Sequence, residues 1–270
     1  MNLLTSIKKY VKIYKHFWKI SWKYVVQYRV DSFLFIVALF FVISTYVIQF
    51  GLVFKQVPLI EGWTYAEVLF VLGIYEVNFG IFKIFYGRTM EDAIEKIFMG
   101  DYDFFMLKPI KARFLAYFLP PLFKAVPGTV GGVAFLVFTI RNLGIPFGYV
   151  ELLLLIFYIL VSQLLVISFF QIAVTLAFFT GRSDEVWGIV ENIWFYARYP
   201  KDIFSGKTLL LFTFFIPITL FASYPASVIL GKDSISVMGV LFPLFVATLF
   251  CGMSNAFYRY GVSKYTSASS

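Results

Sequence analysis

Residues 90–113 read MEDAIEKIFMGDYDFFMLKPIKAR, between two strongly apolar runs. Met90, Ala93, Ile94, Ile97 and Phe98 recur three and four apart, with Glu91, Asp92, Glu95 and Lys96 on the other side. That period predicts a short amphipathic helix over 89–100. Gly100, free to take positive φ, stops it, and Pro109 bars helix from resuming before Lys108. Lys96, Lys108, Lys111 and Arg113 make the segment basic beside a membrane, which predicts that it faces the cytoplasm. An apolar stripe such as Ile94, Ile97 and Phe98 is the kind of face that docks in a partner's groove.

The rest of the chain is apolar. Of 270 residues, 60% are hydrophobic, 21% aromatic and 14% charged, with a mean hydropathy of +0.83. Soluble domains carry about 25% charged residues, so the expectation is an all-α integral membrane protein with one bundle of spans. The net charge of +8 raises the question of nucleic acid. The bases flank apolar runs as juxtamembrane anchors do, which argues for membrane lipid and against nucleic acid. One cysteine, Cys251, and one histidine, His16, leave no intrachain disulfide and no Cys/His set for a metal. No G-x-x-x-x-G-K-[ST] motif is present, so the chain has no P-loop with which to bind ATP. It binds no cofactor of its own on this reading.

Residues 1–31 place Lys8, Lys12, Lys15, Lys19 and Lys23 on one helical face and Tyr10, Tyr14, Phe17 and Trp18 on the other, the pattern of a helix lying in the membrane interface. With no small-residue cleavage site, this stretch leads into a retained span. Six spans are expected, each tested against a ~30 Å hydrocarbon core: 33–54, 64–86, 115–140, 150–180, 208–222 and 237–258. Segment 181–207 is assigned to the cytoplasm. Its stripe of Val186, Trp187, Val190, Ile193, Trp194 and Ala197 suits either a helix on the membrane or the lower part of the next span. Residues 222–236 are too apolar for an ordinary outer loop and are a candidate re-entrant segment, which lipid permits only where protein covers the backbone. With this assignment eighteen bases lie on the cytoplasmic side against three outside, Lys55, Arg141 and Lys232, and both termini are cytoplasmic.

Polar residues inside spans are the functional candidates. Glu76 lies near the middle of span two, with Asn78 beside it and Lys124 in span three as its expected ionic partner. Glu76 is then either a substrate-path or proton-relay residue, or half of a structural ion pair. Pro120, Pro121 and Pro127 weaken span three as a regular helix. Gly128-x-x-x-Gly132, and Ala173-x-x-x-Ala177-x-x-x-Gly181 on span four, suit close helix packing.

The chain resembles the ABC-2-type transporter permeases, within them a branch of six-span bacterial permeases encoded beside a separate ATPase. The likeness rests on Met99-Gly100-Asp101-Tyr102-Asp103 running into Leu107-Lys108-Pro109-Ile110, on Tyr199-Pro200-Lys201-Asp202-Ile203, Ile216-Pro217 and Tyr224-Pro225-Ala226, and on the terminal Tyr265-Thr266-Ser267-Ala268-Ser269-Ser270. Lys108 stands where Arg is usual, keeping the charge but losing the bidentate fork. The resemblance implies a permease subunit of an ATP-driven exporter in the bacterial inner membrane. The helix at 89–100 would be its coupling helix, carrying Met90, Ile94, Ile97, Phe98, Gly100, Asp101, Lys108 and Pro109 to a separate ATPase subunit that hydrolyses the ATP. A second permease, the same chain or a related one, would complete the transporter. The competing expectation is a self-sufficient ion- or proton-coupled carrier built on Glu76 and Lys124.

Overall fold

The structure is a computed structural model that describes residues 3–118, 120–142, 144, 147–180 and 184–265. Gly181, Arg182 and Thr266–Ser270 lie outside the described residues, so those parts of the sequence patterns are not placed. Among the described residues every extended element is a helix, and the one β contact is an isolated bridge between Ile60 and Trp63.

Five helical stretches are long and apolar enough to cross a membrane: Arg29–Gln56, Tyr65–Met99, Ala112–Asn142, Tyr149–Thr180 and Val237–Lys264. They correspond to the expected spans one, two, three, four and six. Helix α1 (Leu3–Gln27) precedes α2 (Arg29–Gln56). Its aromatic side meets the bundle: the Tyr10 ring lies edge-on to Phe114 at 4.7 Å and Trp18 edge-on to Phe123 at 4.7 Å. Lys8, Lys12, Lys15 and Lys19 remain exposed.

Helix α3 (Tyr65–Phe82) is the axis of the molecule, with nearly every residue from Val68 to Phe79 buried. Thr64 and Glu67 cap its start reciprocally, the Thr64 hydroxyl accepting from the Glu67 N–H and the Glu67 carboxylate from the Thr64 N–H, a capping box. A π turn at Lys83–Gly87 leads without interruption into α4 (Arg88–Met99). Span two and the coupling segment are therefore one helical run of 35 residues and not a span followed by a separate short helix. Gly100, at φ 78°, ends that run as predicted.

Span three is broken. After the single turn α5 (Asp103–Met106), α6 (Ala112–Phe118) stops before Pro120-Pro121, a 3-10 turn covers Phe123–Ala125, and α7 begins at Val126 and runs to Asn142. Helix α8 (Tyr149–Thr180) packs along α12 (Val237–Lys264), α3 and α4.

The expected fifth span is where the structure departs from the hydropathy reading. Residues 208–222 do not form a crossing helix. They contain α10 (Gly206–Leu210), a π turn to Phe215, Pro217 and a 3-10 turn at Ile218–Leu220, followed by α11 (Ser223–Ile229). Ahead of them come α9 (Asp184–Phe195) and the 3-10 turns at Tyr196–Arg198 and Lys201–Ile203. Trp187 and Gly188 stand beside α4, whereas Asp202 accepts a hydrogen bond from the Trp63 indole, in the loop before α3. Segment 181–207 therefore does not stay at one end as assigned. Lys201 lies at the loop end, Lys207 follows it on α10, and Arg198 lies buried between the ends. The excess of bases at the α4 end keeps its sign but narrows.

From Asp202 the chain dips inward and returns. The Lys201 ammonium lies 3.1 Å from Asp202 and 3.3 Å from Asp233, and Lys232 lies 3.1 Å from Glu67. Both ends of 203–232 thus meet at the loop end. The irregular backbone between them is served by side chains of α3 and α8 and by one of its own. Asn78 Nδ2 donates to the Phe221 carbonyl at 3.0 Å, Ser162 Oγ to the same carbonyl at 3.1 Å, and Thr219 Oγ1 to the Phe212 carbonyl at 3.1 Å. A peptide group left bare in an apolar interior costs several kcal/mol, so these donors are what allow the excursion.

Candidate functional site

The segment at 89–100 has the predicted amphipathicity with the opposite orientation. Met90, Ala93, Ile94 and Ile97 are buried, packed with the core that α8 and α6 share. The expectation that Ile94 and Ile97 present an exposed docking face is corrected: they fasten α4 to its own bundle. The outward face carries Arg88, which pairs with Asp92 at 3.0 Å, and Glu91 and Glu95. The exposed apolar surface lies at the tip, where Phe98 is 54% and Leu107 81% exposed, with Met99, Phe104 and Met106 beside them.

The chain turns sharply at that tip. Gly100 takes the left-handed conformation and the Tyr102 N–H closes back on the Lys96 carbonyl at 3.1 Å. Tyr102 is fully buried, its hydroxyl 2.7 Å from that of Tyr258 on α12, and burial pushes its phenol well up, so it stays neutral. Asp101, Lys108 and Pro109 are exposed. Lys108 lies 5.6 Å from the Phe105 ring, and the Pro109 carbonyl accepts from Lys9 of α1 at 2.8 Å. The turn is thus rigid at its root and bare at its end.

Behind the tip two irregularities face each other. The π turn at Lys83–Gly87 frees the Ile84 carbonyl, and the Leu122 N–H, just past Pro120-Pro121, donates to it at 2.7 Å. Thr89 Oγ1 is 2.8 Å from the Tyr86 carbonyl and 2.6 Å from that of Tyr117, and its single proton serves one at a time. Pro breaks and π turns are the usual causes of bends in helices. Here they coincide at the junction between the tip and the apolar bundle.

Glu76 does not meet Lys124. It is buried and lines a cavity of about 320 Å³ between α2, α3, α7 and the end of α9; the cations on that wall are Lys83, at the start of the π turn that follows α3, and Arg198. Among the described residues Glu76 has no ion pair, and Lys124 does not line the cavity, so the expected Glu76–Lys124 couple is absent. Asn78 is accounted for by the re-entrant carbonyl and by Gln163, whose amide donates to Asn78 Oδ1 at 3.1 Å. Gly128 and Gly132 serve different neighbours. A Cβ on Gly132 would lie 3.3 Å from the Glu76 backbone carbon, and one on Gly128 would lie 3.0 Å from a Leu39 methyl on α2.

Arg198 is the residue that sequence reasoning missed. It is 4% exposed. Its guanidinium stacks 4.1 Å from the Tyr46 ring, 4.8 Å from Tyr75 and 4.7 Å from Phe195, and donates to the Tyr75 hydroxyl at 3.1 Å. The only signal was one basic residue inside an aromatic run, Trp194-Phe195-Tyr196-Ala197-Arg198-Tyr199, which a charge count assigns to water.

A bundle of long apolar helices with an axial helix projecting beyond it defines a multi-pass transmembrane protein. A sequence model of the ABC-2 family transporter proteins matches residues 35–269, and the chain belongs to that family, as a permease of the ABC-2 type. A search of curated proteins finds no relative.

Proposed function

We propose that this chain is the membrane-spanning subunit of an ATP-driven exporter and is coupled to a separate ATPase subunit through the α4–α5 tip. Membership of the family supports a transporter subunit in place of an enzyme, and the family in general implies an ATPase partner. The observation that carries the coupling reading is the shape of the tip. A 35-residue helix runs from the loop end through the core and emerges as a bare apolar knob of Phe98, Met99, Phe104, Met106 and Leu107. Large apolar side chains left exposed together are the mark of a protein contact, and the buried root at Tyr102 would carry displacement of the tip into the bundle. ATP would be bound and hydrolysed by the partner, since this chain has no P-loop of its own.

On this reading the α4 end faces the cytoplasm of a bacterial cell, with both termini on that side of the inner membrane and α1 lying on the lipid surface. The fifth crossing is 184–203, giving six crossings in all. A second permease, a copy of this chain or a related one, would complete the pathway. The carrier reading loses its motivation, because Glu76 and Lys124 do not meet.

The test is co-purification with the ATPase from the native host in mild detergent. Phe98→Asp combined with Leu107→Asp is expected to abolish ATPase recovery while the permease still inserts and elutes as a single species. An intact complex with the double variant would overturn the assignment of the tip.

A further inference from the structure

The cavity beside Glu76 has a feature that packing does not explain. Among the described residues Arg198 is buried in it without a carboxylate partner, and its Nε has no hydrogen-bond partner. A guanidinium away from water normally pairs with an acid, because an unpaired buried charge is costly, and ionisable groups at membrane depth usually mark a substrate path. Three aromatic rings and one hydroxyl offset part of that cost and leave the fork's Nε edge unserved.

The walls supply the remaining chemistry. Lys83 is the second cation, and with Glu76 ionised the three charged groups still sum to +1. Phe35, Leu39 and Val42 of α2 form an apolar side, and Ala38, which also lines the cavity, is exposed, so the cavity opens beside α2. The volume of about 320 Å³ falls within the usual range for small-molecule sites, about 300–1,000 Å³. An apolar cavity reached from beside α2, with an unpaired guanidinium inside, matches a molecule with a hydrocarbon body and one acidic group.

We propose that this cavity is a binding site for anionic amphiphiles, in which Arg198 receives a carboxylate or phosphate head group through charge-assisted hydrogen bonds and the α2 wall receives the chain. As a substrate site the proposal rests on the permease reading. As a binding site it stands on the cavity alone.

The experiment uses the full-length chain in nanodiscs of zwitterionic lipid and a photoactivatable diazirine fatty acid, with its uncharged methyl ester as control. Labelled positions are read by mass spectrometry. The acid is expected to label the cavity stretches 35–42 and 125–129 at least fivefold more than the ester does, and excess oleate is expected to remove that label. Arg198→Ala should make acid and ester label alike. Ala38→Trp, which fills the cavity from its exposed side and keeps Arg198, should lower labelling by the acid at least fivefold and decides the matter if Arg198→Ala fails to fold. Equal labelling by acid and ester, or acid labelling unchanged by Ala38→Trp, overturns the site. Competition by inorganic phosphate as strong as by oleate overturns the amphiphile assignment, since it would show a free anion as the ligand. Labelling needs no ATPase, so its loss with ATPase recovery intact defeats the site alone, and the converse defeats the coupling reading alone.

Discussion

The indole of Trp63 donates a hydrogen bond of 2.8 Å to the carboxylate of Asp202, across 139 positions of sequence. Trp63 is 1% exposed and the Lys232 ammonium stands 4.9 Å from its ring and donates to the Gly62 carbonyl, so Asp202 and Lys232 fasten both ends of the 203–232 excursion to the loop before α3, and the Lys201–Asp233 pair ties those ends to each other.

Cysteine labelling checks that placement. In a Cys251→Ala background, Lys207→Cys and Glu61→Cys should react with a membrane-impermeant maleimide from the same side of the membrane, and Leu107→Cys from the other. Labelling of Lys207→Cys together with Leu107→Cys would restore a cytoplasmic 181–207.

Asn78 serves the Phe221 carbonyl of the 203–232 excursion. Asn78→Ala leaves the Phe221 carbonyl with the Ser162 hydroxyl alone and removes a partner of Gln163. A loss of about 1–2 kcal/mol is expected, from the worth of interhelical hydrogen bonds and the cost of a poorly served buried group. Ser162→Ala should cost less, because Asn78 still serves that carbonyl. Thermal unfolding in detergent ranks the two, and the reverse order would contradict the shared-carbonyl account.

Glycines of α3 and α7 divide sharply. A Cβ on Gly73 would stand 3.1 Å from the Leu136 Cα, a backbone atom that cannot give way, whereas one on Gly131 meets nothing nearer than 4.0 Å. Gly73→Ala is expected to cost about 1–3 kcal/mol through overpacking and Gly131→Ala close to nothing. Expression level and melting temperature of the two variants provide the comparison.

The two faces of α4 also predict two phenotypes. Ile94→Asp places a carboxylate on a fully buried position against the core, so it should depress folded yield before any question of partner binding arises. Phe98→Asp adds a charge at an exposed position and should leave yield unchanged while weakening ATPase recovery. Fluorescence-detected size exclusion separates the two, and equal folded yields for both variants would reject the buried assignment of Ile94.

Residues 90–113 show how far sequence carries. The 3.6-residue period states that Met90, Ala93, Ile94 and Ile97 share one face, and Gly100 states where the helix stops, because both follow from local backbone geometry. Neither states which body covers the face. The helix continues from α3, and that continuity turns the stripe onto α8. The unused knob at Phe98 and Leu107 is left outside.

The sequence by itself determined the class: apolar runs of crossing length admit only helices in lipid, since every backbone group must be satisfied within its own segment. It placed five of the long helices for the same reason. Only the tertiary structure decided the path of residues 184–232. Hydropathy sends Arg198, Lys201 and Asp202 to water; Arg198 is instead buried, because Tyr46, Tyr75 and Phe195 cover its guanidinium, while Lys201 and Asp202 stay at the loop end, held by Asp233 and Trp63. Those partners come from distant parts of the chain, and a charge changes its preferred surroundings only once such partners are assembled around it.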